Sequence, residues 1–152
     1  MKSDLELWVV LARAYEAVRR HAVADIARHE LTPGEFGVLE ALYHGEPLLL
    51  GELQQKVLVS SGGVTFLVDR LVARGLVERR PCPDDARARH ALLTSAGRRL
   101  MDRIFPDHAR AVRGALAGLG RAEQRRAADL LRTLGLAAAA RPLPGTSLPK
   151  EQ

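Results

Sequence analysis

The segment from Val57 to Gly97 constrains this chain most: VLVSSGGVTFLVDRLVARGLVERRPCPDDARARHALLTSAG. It reads as a helix, a short strand, an arginine-bearing loop, a second strand and the start of another helix. The first helix opens on small and hydroxylated residues, Ser60, Ser61, Gly62 and Gly63. Its positions Val64, Leu67, Val68 and Leu71 fall on one face at helical spacing, and the opposite face carries Ser61, Gly62, Thr65, Phe66, Asp69 and Arg70. Over Asp69 to Arg99 there are eight arginines against four acids, so excess positive charge gathers here. A helix with a slim polar leading end beside a basic hairpin can reach two grooves of one DNA duplex.

The rest of the chain frames this segment with helices. Residues 4–29 hold no Gly or Pro, and Leu5, Trp8, Ala12, Tyr15, Val18, Ala22 and Ile26 recur every three or four positions, one stripe of a long helix. Thr32-Pro33-Gly34-Glu35 starts a second helix, with Thr32 as N-cap and Glu35 completing a capping box. Phe36, Leu39, Leu42 and Tyr43 form its inner face, and Gly45 ends it. Leu48–Leu50 reads as a minor strand and Gly51–Val57 as a short helix with Leu53 and Val57 inward. Leu58–Ser60 is a turn, and Ser61–Arg74 a helix closed by Gly75. Strands follow at Leu76–Arg80 and His90–Leu93, with Pro81 and Pro83 expected to keep the intervening loop out of the ladder.

Thr94 begins a long helix with a stripe of Leu100, Ile104, His108, Ala111 or Val112, Ala115 and Leu119, kinked at Pro106 and broken by Gly118 and Gly120. Arg121–Ala140 is the last helix, with Ala128, Leu131 and Leu134 inward. The tail 141–152 is Pro-rich and aperiodic, so it reads as disordered. The long helices at both ends cannot bury their stripes on so small a middle, which predicts a homodimer.

Composition narrows the function. The chain has 152 residues, one domain's worth, with a formal net charge of +5 and a pI near 10.1. Aromatics are 4%, which suits an aliphatic helical core and disfavours a base-stacking sheet. The single cysteine, Cys82, excludes an intrachain disulfide and fits a reducing compartment. The N-terminus lacks the pattern of a signal peptide, and no apolar run is long enough to span a membrane, so the expected location is the cytoplasm. No Gly-rich phosphate loop, nucleophile elbow or paired-carboxylate signature marks an enzyme or calls for a cofactor. The five histidines are scattered, and none forms a convincing metal set.

Together these features predict a mainly α chain with a small β-hairpin wing: a winged helix-turn-helix with N- and C-terminal helical dimerisation arms. DNA contact falls to Ser60, Ser61, Gly62, Thr65, Phe66, Arg70, Arg87 and Arg89, with Asp85 placed to hold the Arg87 guanidinium. The helix bearing Gln54, Gln55 and Lys56 would cross the DNA backbone. Trp8, Tyr15, Phe36, Tyr43 and His108 are candidates for a pocket between the first two helices and the long fifth; such residues otherwise serve as core or dimer interface. Cys82, near Arg79 and Arg80, is a candidate redox or quinone sensor. An alternative function is a winged-helix module that binds protein partners and not DNA.

The residues resemble the MarR family of bacterial transcriptional regulators, from about Leu5 to Leu136. LTPGEFGVLEALYH resembles that family's second helix, and SSGGVTFLVDRLVARGLVERRPCPDDARARHALLTSAG its recognition helix and wing. The wing signature Asp-x-Arg, then Leu-Thr-x-x-Gly after a strand, is present as Asp85-Ala86-Arg87 and Leu93-Thr94-Ser95-Ala96-Gly97. The resemblance implies one domain over 1–140: a DNA-binding part over about 31–97 and dimerisation helices over about 4–29 and 95–140. It implies a dimer on a pseudo-palindromic operator, with recognition helices in successive major grooves and wings in flanking minor grooves. It further implies a repressor released by a small aromatic or phenolic ligand or by thiol oxidation. LWVVLARAY, PCPDD and IFPDH resemble a subgroup linked to quinone and antimicrobial stress. Where the family commonly has Arg-Arg after the wing Asp, this chain has Ala86 first, so the carry-over rests on Arg87.

Overall fold

The computed structural model describes residues 2–45, 47–57 and 61–143, without the side chains of Lys2 and Ser61. Of the predicted tail, 144–152 lie outside the described residues, as do Leu58–Ser60 of the predicted turn. The elements are α1 (Lys2–Ala27), α2 (Pro33–Gly45), β1 (Leu48–Leu49), α3 (Leu50–Val57), α4 (Ser61–Ala73), β2 (Val77–Cys82), β3 (Asp85–Leu93), α5 (Ser95–Ala115) and α6 (Arg121–Ala139). Two compact units comprise them, Met1–Ala115 and Leu116–Gln152.

In the first unit, local chemistry sets each boundary. Thr32 and Glu35 form the expected capping box: the Thr32 backbone N–H donates to Glu35 Oε2 at 2.9 Å, and the Glu35 N–H donates to Thr32 Oγ1 at 3.2 Å. α4 ends in a Schellman turn. Gly75 adopts φ 71°, the Leu76 N–H reaches the Leu71 carbonyl at 3.0 Å, and the Gly75 N–H reaches that of Val72 at 2.9 Å. Thr94 caps α5 by accepting the Gly97 N–H at 3.0 Å, while its hydroxyl donates to the Gly75 carbonyl at 2.7 Å. A Cβ on Gly97 would overlap the Leu76 carbonyl oxygen. The Thr-x-x-Gly spacing therefore locks the start of α5 onto the end of α4.

The core is aliphatic. Val38, Leu39 and Leu42 of α2, Leu53 of α3, Val68 and Leu71 of α4, Ala91 of β3 and Met101 of α5 are wholly buried, and Val64, Val77 and Ile104 nearly so. The predicted inward face of α4 is the buried one. α5 continues through Pro106, which has no N–H to offer the Asp102 carbonyl, and ends at Ala115, so Leu119 of the predicted stripe falls outside it.

The sheet is antiparallel in the order β1-β3-β2, with Leu48 opposite Ala91 and Val77 opposite Leu93. The hairpin corrects the sequence reading. The strands run on to Cys82 and back from Asp85, and Pro81 pairs with Arg89 inside the ladder. Pro81 is tolerated because β2 is an edge strand, where a missing N–H costs no interior ladder bond. Register slips between Pro81 and Cys82, because Cys82 faces Asp85. Ala86, Arg87 and Ala88 thus form a bulge on β3, and β3 as far as Arg87 is exposed.

In the second unit the Gly120 N–H donates to Glu123 Oε2 at 2.7 Å, and Gln124 Nε2 donates to the carbonyls of Leu116 and Leu119. α6 buries no residue. Ala128, Leu131 and Leu134, expected to face inward, are exposed among the described residues.

Candidate nucleic-acid interface

α4 buries Val64, Val68 and Leu71 and turns Gly62, Thr65, Phe66, Asp69 and Arg70 outward. Phe66 is 59% exposed, unusual for a phenyl ring. Among the described residues nothing lies within 4 Å of a Cβ placed on Gly62, so the leading turn of α4 has room for a close approach. Ser61 opens the helix, with its side chain outside the described residues, and Ser60 lies outside them altogether.

Buried charge fixes the orientation of α4. Glu35 is 1% exposed, and Arg70 Nε donates to its Oε1 at 3.0 Å. Arg74 Nη1 lies 3.7 Å from its other oxygen and donates to the Glu30 carbonyl at 3.0 Å. Burial pushes the Glu35 carboxyl up, but the Thr32 N–H, the Arg70 guanidinium and the Thr32 hydroxyl outweigh it and hold the group below the ordinary carboxylate range. The Arg70 guanidinium also stands 5.7 Å over the Phe66 ring. On the other flank, Arg79 of β2 pairs with Asp69 at 2.7 Å and ties the helix to the hairpin.

Arg87 and Arg89 are exposed on β3. Asp85 does not grip the Arg87 guanidinium as expected. Its Oδ1 accepts the Arg87 backbone N–H at 2.9 Å, and it shapes the bulge instead of the side chain. Cys82 is a half-buried free thiol at the turn.

The five candidate pocket residues do not come together as one set. Phe36 and His108 are buried against each other with ring centroids 4.3 Å apart, and His108 Nδ1 is 3.2 Å from the buried Asp25 Oδ2. Tyr43 donates to Asp102 Oδ1 at 2.8 Å and packs on Phe105 at 5.6 Å. That carboxylate, with burial, holds its phenol above the usual value. Trp8 and Tyr15 each stand 66% exposed on α1. An open cavity of about 590 Å³ along α2 and α3 is lined by others, among them Gly37, Glu40, His44, Lys56 and Val57. Among the described residues, no group of three or more His, Cys, Asp or Glu could hold a metal ion.

Sequence reasoning missed the Glu35–Arg70–Arg74 and Asp25–His108–Phe36 clusters. Glu35 was visible only as a cap; its burial was the missing signal, because a buried carboxylate needs a cation. The cation is 35 residues away, beyond any local spacing rule.

The sequence profile of the MarR family matches residues 29–88. The chain is 36% identical to the HTH-type transcriptional regulator MhqR of Bacillus subtilis over 89% of its length and 93% of that protein's. It is likewise 36% identical to the regulator YkoM of the same organism, over 87% of this chain and 86% of the other. Among solved structures it is similar to Streptomyces coelicolor Sco3205, a MarR family regulator in complex with DNA (TM-score 0.82, 24% identity, 97% of this chain and 94% of that one). It is also similar to Bordetella bronchiseptica BpsR, in a structure concerning regulation of its DNA binding by 6-hydroxynicotinic acid (TM-score 0.75, 28% identity, 83% and 90%). With curated relatives matched along nearly their whole length, the chain belongs to the MarR family of winged helix-turn-helix, DNA-binding transcriptional regulators.

Proposed function

We propose that this regulator is a homodimeric repressor of a pseudo-palindromic operator, released by a small aromatic or phenolic ligand or by quinone or oxidant stress. The observation that carries the DNA-binding half is the division of α4: an aliphatic face with Val64, Val68 and Leu71 buried, and an outward face of Gly62, Thr65, Phe66 and Arg70 beside an exposed arginine bulge. Ser60, Ser61, Gly62, Thr65, Phe66 and Arg70 read the major groove and its flanking phosphates. Phe66 lies against thymine methyl groups. Arg87 and Arg89 enter the minor groove, where the potential is most negative.

The homodimer rests on uncovered apolar surface. Leu5, Leu7, Trp8, Val10 and Tyr15 of α1 and Leu130, Leu131, Leu134 and Leu136 of α6 are exposed, apolar surface of the kind that marks protein contacts. In this reading the DNA-binding part spans about 31–97, and the helices over about 4–29 and 95–140 join the two copies. Among the described residues no helix is long and apolar enough to cross a membrane. The work is done in the cytoplasm, where the operator is, and without catalysis. The effector half draws on BpsR, whose DNA binding is regulated by 6-hydroxynicotinic acid.

A titration against a duplex of random sequence tests the reading. Binding at low salt that weakens steeply as salt rises supports it. No binding at low salt defeats it and leaves the protein-interaction module standing.

A further inference from the structure

A cavity of about 450 Å³ opens where the α1–α2 turn, the end of α4 and the first turns of α5 meet. Arg74, Arg99 and Arg103 line it, against one carboxylate, Glu30. Arg99 and Arg103 sit one helical turn apart on α5, and neither meets a carboxylate partner among the described residues. Two like charges at that spacing oppose each other unless an anion lies between them. His29 also lines the cavity, and its Nε2 is buried with no hydrogen-bond partner among the described residues. A buried ring nitrogen left unsatisfied is costly. Leu76 and Leu100 add half-buried apolar wall, and the volume suits a small organic molecule.

We propose that this cavity binds the oxyanion of a small molecule, a carboxylate or a phosphate. Arg99, Arg103 and Arg74 hold the charge, His29 donates to it, and the apolar body lies on Leu76 and Leu100. The site lies apart from the Phe36–His108 contact and from the outward face of α4. It has a route to that face: Arg74 also pairs with Glu35, and Glu35 holds Arg70. An anion that draws Arg74 into the cavity leaves Glu35 with one cation and loosens the hold on α4. This regulatory consequence, and only this, rests on the DNA-binding reading.

The test is calorimetric titration of the full chain with benzoate and, separately, inorganic phosphate, repeated on Arg99→Gln/Arg103→Gln and on Ala96→Glu. These positions are exposed, so the fold survives the changes, and the Glu places a carboxylate at the cavity's edge. Binding that weakens about tenfold or more in both variants supports the site. Tighter binding of benzoate assigns the source to organic acids, and tighter binding of phosphate to phosphorylated compounds. No binding of either probe, or binding that both variants leave unchanged, overturns the proposal. The arginine variant should keep the native chain's affinity for random duplex DNA. A shallower salt dependence would make these arginines DNA-backbone contacts and would overturn it too. Calorimetry needs no DNA, so failure of the site and failure of DNA binding are read separately.

Discussion

Arg70, on the outward face of α4, donates from Nε to the buried Glu35 of α2 at 3.0 Å. One carboxylate thus caps α2 and orients the helix placed to meet DNA. Glu35→Gln keeps the shape but removes the charge that Arg70 and Arg74 share. It should cost about 2 kcal/mol of stability, from a weakened cap and a weakened charged hydrogen bond. Urea unfolding checks this.

The same group sets an acid limb. The folded Glu35 pKa lies below its ordinary value, so the charge contributes stability fully above the unfolded value of about 4.3 and loses it as pH falls through the lower folded value. Stability measured at a series of pH values below about 5 should fall less steeply in Glu35→Gln than in the native chain. Parallel curves would assign the acid loss to other carboxylates.

Arg87 sits in the middle of the β3 bulge, with Asp85 holding its backbone. Arg87→Ala should weaken duplex binding and lower the slope of log affinity against log salt by about one unit, leaving the fold unchanged. Fluorescence anisotropy at several salt concentrations reads both quantities. An unchanged slope would remove the wing from the interface.

Gly97 touches the Leu76 carbonyl so closely that a methyl group has no place. Gly97→Ala should destabilise the first unit by about 3 kcal/mol, against the gain of a few tenths expected of Gly→Ala at an open helical site. Gly114, whose Cβ would meet nothing within 4 Å among the described residues, is the control: Gly114→Ala should be neutral or stabilising in the same thermal melt.

Trp8 and Tyr15 are exposed in the single chain and covered in the proposed dimer. Trp8→Asp/Tyr15→Asp should shift sedimentation toward the monomer, while a monomeric native chain would remove the dimer from the reading. Cys82→Ser tests the thiol in the same way: an unchanged response of DNA binding to a quinone would dismiss it as a sensor.

Much of this molecule was legible before any tertiary structure. The spacing of Val64, Val68 and Leu71 identified the buried face of α4, Thr32 and Glu35 identified a cap, and Gly75 identified the end of a helix. Each is a rule about neighbours within one or two turns, where chain geometry alone sets which groups meet. The hairpin was only half legible. Pro81 looked like a strand breaker because a sequence does not say which strand is the edge.

The tertiary structure decided which distant groups meet. Glu35 with Arg70, His108 with Asp25, Gly97 against Leu76, and Arg74 beside Arg99 and Arg103 all join residues far apart along the chain. The sequence determined the elements and their faces because hydrogen-bond periodicity and side-chain hydrophobicity act locally. Packing determined the partners of the buried charges and the placement of the cavities, because a charge out of water must find its counter-ion wherever the fold brings one.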